Sequence, residues 1–162
     1  MANKDELYGQ NFCTTSGLLT ATGGETVYDT TVTINYVLNG KIATKTAVTD
    51  GVTPTTDYVS AAAITLTANK SRCVVWGLVS GGAVKAIAGH IVDWDGTAYK
   101  VPPPFPVVPD DFVPFAYQII KGGSTVSGTW TFGSSNWNAT GITSAIVHIA
   151  VLPHRPQTSS SV

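Results

Sequence analysis

The side chains able to act as ligands, nucleophiles or general acids are few in this chain. His90, His148 and His154 are its three histidines, and none lies within two residues of another ligand type at a metal-binding spacing. Cys13 and Cys73 stand far apart in sequence and match no metal pattern. With no apolar leader at the N-terminus, they read as reduced, structurally passive thiols. Asp93-Trp94-Asp95-Gly96 begins like a calcium loop, yet the later oxygen ligands and the closing bidentate Glu are missing, so it reads as a turn. Asp110 and Asp111 are adjacent carboxylates, but neighbours in an extended chain point apart, and no second acidic pair stands ready to complete general acid–base work. There is no Gly-x-Ser-x-Gly elbow and no phosphate-binding glycine loop. The expectation is a chain that is not an enzyme, with no catalytic residue, no metal and no cofactor.

Composition narrows the partners. Of 162 residues only 12% are charged, and the formal net charge is −1, against about 25% charged residues in an ordinary globular protein. A balance this neutral has no long electrostatic reach toward phosphate, and no Lys/Arg cluster interrupts it, so nucleic acid is not an expected partner. No apolar run is long enough to span a bilayer, so no membrane is expected either. At 43% hydrophobic the chain can bury one sizeable core without disulfides or metals.

The elements that would position any site are short strands. Val32, Ile34, Tyr36 and Leu38 alternate with Thr33, Asn35 and Val37, the period of a half-buried strand. That run enters Asn39-Gly40, which suits a type I′ turn, and continues as Lys41 to Val48. Thr49-Asp50-Gly51 reads as a connection. Ala61 to Thr67 fits a strand or a short helix by pattern, with its threonines favouring strand. Cys73 to Val79 reads as a buried strand, Ser80-Gly81-Gly82 as a turn and Ala83 to Val92 as the return. Pro102-Pro103-Pro104-Phe105-Pro106-Val107-Val108-Pro109 cannot donate regular sheet hydrogen bonds and must cross the surface as a stiff strap. Phe115 to Ile120, Thr125 to Phe132 and Ile142 to Leu152 supply further strands, expected in one sheet system with the Asn39-Gly40 hairpin. The fold expected is mainly β, an antiparallel β-sandwich or barrel. Its parts are an extended N-terminal arm over 1–26, a single β-domain over 27–157 containing the strap 102–109, and a polar tail over 158–162. The arm reads either as a loosely ordered end or as a segment that orders on a neighbouring subunit.

Large apolar groups outside the strands are the candidates for an interface. Trp76 and Trp130 lie inside strand patterns and read as core. Trp94 and Trp137 lie in turns among small polar residues, where a large ring can desolvate much area at little entropic cost. They can equally fold back onto their own sheet. Leu18 and Leu19 in the arm, Phe105 in the strap, and His154 and Arg155 in the proline-flanked exit complete the candidate set.

Several phrases carry a resemblance: Val32 to Val48, Pro54-Thr55-Thr56-Asp57, Trp130-Thr131-Phe132-Gly133-Ser134-Ser135-Asn136, and Leu152-Pro153-His154-Arg155-Pro156. In these, over about Thr26 to Gln157, the chain resembles small virion structural proteins of tailed bacteriophages, of the kind encoded among head genes. The resemblance implies a capsid decoration or cement protein that binds and stabilises the major capsid protein shell. It further implies a homo-oligomer, with a homotrimer the expected form, located on the capsid surface of the virion after synthesis in the bacterial host cytoplasm. A rival reading is a head-fibre, tail-fibre or tail structural module that binds a host-surface glycan, for which Trp94 beside Asp93 and Asp95, or Trp137 beside Asn136 and Asn138, would serve. The family offers no active-site motif to carry over.

Overall fold

The computed structural model describes residues 11–15 and 18–150. Nearly all of its regular structure is antiparallel β, as the alternation and turn chemistry require. The strands are β1 (Phe12–Cys13), β2 (Leu19–Thr20), β3 (Val27–Thr30), β4 (Ile34–Leu38), β5 (Lys41–Lys45), β6 (Val48–Val52), β7 (Thr65–Leu66), β8 (Lys70–Leu78), β9 (Val84–Ala88), β10 (Val92–Asp93), β11 (Val113–Gly122), β12 (Trp130–Thr131) and β13 (Ile142–His148). Ser80–Gly82 forms a single 3-10 turn between β8 and β9. Among the described residues no helix is long and apolar enough to cross a membrane.

The centre is a sheet in the order β10-β8-β11-β13, with β9 also paired to β8. Its two middle strands are buried almost throughout, which explains why Cys73 to Leu78 and Phe115 to Ile120 read as continuous apolar runs rather than alternating ones. On one face Val74, Trp76, Leu78, Ala116 and Ile120 enter a core shared with Cys13, Leu19, Tyr28, Ile34, Tyr36 and Leu66 of the smaller sheets. On the other face Cys73, Val75, Ile87, Tyr117 and Ile119 meet Phe112 and are covered by Phe105 and Val108 of the proline strap. The strap therefore does what its sequence dictates, crossing a sheet face without joining the sheet. Gly89 permits the crossing: a Cβ there would lie 2.6 Å from the Pro104 carbonyl oxygen.

The smaller sheets are β1-β4-β5, β2-β3-β6 and β12-β7. The β4–β5 hairpin turns through Asn39 and Gly40, with φ of 50° and 73°, and pairs Leu38 with Lys41, the type I′ geometry expected of Asn-Gly. Three expectations need correction. Thr49-Asp50-Gly51 is not a connection but the middle of β6, because Val48, Gly51 and Val52 pair with Thr30, Tyr28 and Val27 across a bulge, at which Asp50 takes a left-handed φ of 52° and its N–H is held by the Asp29 carboxylate at 2.7 Å. The hairpin lies in its own three-stranded sheet, apart from the one that contains β11 and β13. The run from Thr125 to Phe132 does not fold back on β11; only Trp130 and Thr131 form a strand, and they pair with β7.

The described part of the stretch read as an arm is stitched to its own chain. Phe12 and Cys13 pair with Val37 and Tyr36, and Leu19 and Thr20 pair with Thr30 and Asp29. Cys13, Leu19 and Ala21 are core residues, so this part of the segment belongs to the domain. The tail 158–162 lies outside the described residues.

Candidate functional site

A groove of about 530 Å³ opens between the strap, the 57–64 turn and the end of β9. Asp57 organises the turn. Its Oδ1 accepts from the Val59 N–H at 3.1 Å, the Ser60 N–H at 2.7 Å and the Ser60 hydroxyl at 2.8 Å, while its Oδ2 accepts from the Ala88 N–H at 2.7 Å. Burial alone would raise this carboxyl, but the donors from Ala88, Ser60 and Val59 outweigh it and hold the group below its ordinary range. Three donors on Oδ1 and one on Oδ2 make Asp57 a staple between the turn and β9.

Arg72 of β8 forms another part of the lining. Its guanidinium donates from Nη1 to the Thr65 carbonyl at 3.0 Å and from Nη2 to the Gly89 carbonyl at 2.9 Å. Burial draws its pKa down, and the nearby Asp57 charge opposes that shift. Phe105, Pro106 and Val107 form the strap wall, with Phe105 set edge-on to Tyr117 at 5.0 Å. The rim is aliphatic: Val59 is 64% exposed, Val107 is 90% exposed, and Ile91 is also exposed. The groove therefore offers an apolar contact surface over a polar floor in which Asp57 and both Nη atoms of Arg72 are bonded within the chain, while the buried Arg72 Nε has no hydrogen-bond partner among the described residues.

The residues singled out from sequence scatter. Of the described ones, Phe105 and His90 line the groove. Leu18 is exposed, whereas Leu19 beside it is 1% exposed in the core, which corrects its reading as an interface residue. Trp137 also needs correction. It is 5% exposed, donates its indole N–H to the Val27 carbonyl at 2.8 Å, and packs at a tilt against Trp76 and Trp130 and edge-on to Phe132. The ring had a core to enter, and a backbone acceptor there satisfied its one polar atom. Trp94 is half-buried, 4.6 Å from Tyr99 centre to centre, with the Lys121 ammonium 4.6 Å above its ring. His154 and Arg155 lie outside the described residues.

The acidic turn residues are engaged within the chain. Asp95 Oδ1 accepts from the Thr97 and Ala98 N–H groups at 2.8 and 2.7 Å, Asp93 pairs with Lys70 at 2.5 Å, and Asp111 accepts from the Tyr58 hydroxyl at 2.6 Å. Both thiols are free and buried. Among the described residues no group of three or more His, Cys, Asp and Glu side chains could hold a metal ion.

Sequence reasoning missed Asp57, Arg72, Val59, Ile91 and Val107. A signal existed for two of them. Arg72 is a lone charge entering an apolar strand, and Val107 is an aliphatic residue in a strap that has only one face to bury. No known family model, curated protein or solved structure matches the chain.

Proposed function

We propose that this chain is a non-enzymatic phage virion structural protein of the capsid decoration type, which binds the major capsid protein shell from outside and stabilises it. The observation that carries the reading is the aliphatic rim of the groove, Val59, Ile91 and Val107, on a chain in which charged residues are scarce. Apolar side chains gathered on a rigid β scaffold are covered when a partner docks. In a shell, many such modest contacts add through effective concentration. The phage-like phrases of the sequence point the same way.

The test is co-sedimentation of the purified chain with expanded shells that lack it. Saturation at a fixed ratio to the shell protein, with a gain in heat tolerance, supports the reading; shells that remain bare and no more heat-tolerant contradict it. The glycan-binding alternative has one observation in its favour, the half-buried Trp94–Tyr99 pair flanked by Asp93 and Asp95. Under it, Trp94→Ala abolishes adsorption to cells and leaves particle assembly intact.

A further inference from the structure

The central sheet ends differently on its two sides. On the β9 side two outward main-chain groups are already taken: the Tyr58 N–H donates to the Ala86 carbonyl at 2.8 Å, and the Ala88 N–H donates to the Asp57 carboxylate at 2.7 Å. Beside β9, β10 is only two residues long. On the opposite side β13 runs for seven residues, paired to β11 on its inner flank with no register shift, and is the last strand of the sheet.

The ladder fixes which groups of β13 remain open. At one end the Gly123 N–H donates to the Gly141 carbonyl at 2.7 Å, and at the other the Ile149 N–H donates to the Phe115 carbonyl at 3.0 Å. Antiparallel alternation then gives Thr143, Ala145 and Val147 to β11 and turns the N–H and C=O of Ser144 and Ile146 outward. Among the described residues, no main-chain hydrogen bond outside the ladder reaches Ser144 or Ile146. The side chains of Thr143, Ser144 and Ala145 are small and exposed, so nothing bulky blocks an approaching strand.

Monomeric proteins guard such an edge with Lys, Pro, bulges or shortness. The outer strand β5 is guarded, with Lys41 and Lys45 at its two ends, and β6 is interrupted by Asp50 in its left-handed conformation. The sequence of β13, Ile-Thr-Ser-Ala-Ile-Val-His, has no Asp, Glu, Lys, Arg or Pro. Its neutrality also means that two copies do not repel each other.

We propose that β13 is a self-pairing edge, which joins β13 of a second copy of this chain antiparallel about a two-fold axis at Ala145. Because β9 is already engaged at Ala86 and Ala88 by residues 57 and 58, and β10 is only two residues long, β13 is the edge with room for a long partner strand, and the pairing is isologous. Ser144 faces Ile146 of the partner subunit and exchanges both main-chain hydrogen bonds with it, and Ile146 does the same with Ser144 of the partner subunit. Ala145 meets Ala145 of the partner subunit across the axis, where two methyl groups fit without clash. The result is one continuous sheet through two copies, a two-fold unit in place of the trimer expected from resemblance. This inference does not rest on the capsid reading.

The experiment is sedimentation velocity on the full chain over a concentration series. Self-pairing predicts a species of twice the 16.9 kDa chain mass. Ala145→Lys places two like charges face to face and reduces the mass to that of one chain, as does Ala145→Glu. An equimolar mixture of the two variants restores the dimer, a rescue that a misfolded variant cannot show, and each variant keeps the parent's β circular dichroism. A wild-type chain that is monomeric throughout, a dimer indifferent to Ala145→Lys, or a mixture that stays monomeric overturns the proposal. A monomer whose Ala145→Lys variant loses only its binding to particles also overturns it, and assigns the edge to a strand of the shell.

Discussion

The Trp76 indole N–H donates to Gln118 Oε1 at 3.1 Å, between the two middle strands of the central sheet, and both side chains are fully buried. Gln118 Nε2 has no hydrogen-bond partner among the described residues, so the amide lies in the core for the sake of the indole. Gln118→Met strands the Trp76 N–H and is expected to cost about 1–3 kcal/mol of unfolding free energy. In a Trp76→Phe background the same substitution has no N–H to strand and costs less. A double-mutant cycle by urea unfolding should show coupling of about 1 kcal/mol; additive effects would mean that the bond contributes nothing.

Trp137 closes the same aromatic cluster from the side of the small sheets. Trp137→Ala is expected to lower unfolding free energy by about 3–5 kcal/mol through the cavity it leaves. Trp137→Phe, which loses the bond to Val27, should cost less. If Trp137→Ala were to leave thermal unfolding unchanged while weakening attachment to a particle, the ring would be an interface residue after all.

Asp57 should make stability depend on pH. Its pKa is lower in the folded than in the unfolded state, because the donors from Ala88, Ser60 and Val59 outweigh its burial. Its contribution is therefore fully present above the unfolded value of about 3.9 and is lost as pH falls through the folded value below that. Asp57→Asn is expected to reduce stability at neutral pH by about 1–3 kcal/mol, and to flatten the acid limb of a plot of unfolding free energy against pH. An acid limb as steep as the parent's would place the titration elsewhere.

Burial pushes the thiols of Cys13 and Cys73 up to about 12 each. Since the thiolate is the reactive form, a disulfide-exchange reagent at mildly alkaline pH should label neither in the folded chain and both in denaturant. Prompt labelling of native protein would mean that β1 or β8 opens readily.

The parts of the fold legible in the sequence were those decided locally. Asn39-Gly40 dictates its turn through positive φ, the proline strap cannot enter a sheet, and the apolar runs around Val75 and Tyr117 could only be buried strands. What was illegible depended on distant partners. Asp50 reads as a turn residue until Asp29 holds its N–H, and Trp137 reads equally as an interface ring or one folded back on its own sheet until Val27 offers a carbonyl. The groove was hidden for the same reason, since Asp57, Arg72 and Val107 meet only when the strap crosses Gly89. Phe105, named from sequence as an interface candidate, packs edge-on against Tyr117 and also lines the groove.

Val107 at the rim gives a direct probe of how the groove is used, because its 90% exposure lets a charge enter without disturbing the core. Val107→Asp should leave thermal unfolding within about 0.5 kcal/mol of the parent. The most direct test of the decoration reading is difference imaging of particles with and without the chain, repeated with Val107→Asp added back. The account predicts density at symmetry-related positions on the outer face of the head, restored by the parent chain and not by Val107→Asp. Density confined to the tail or to a fibre tip, or a head surface identical with and without the chain, would contradict it.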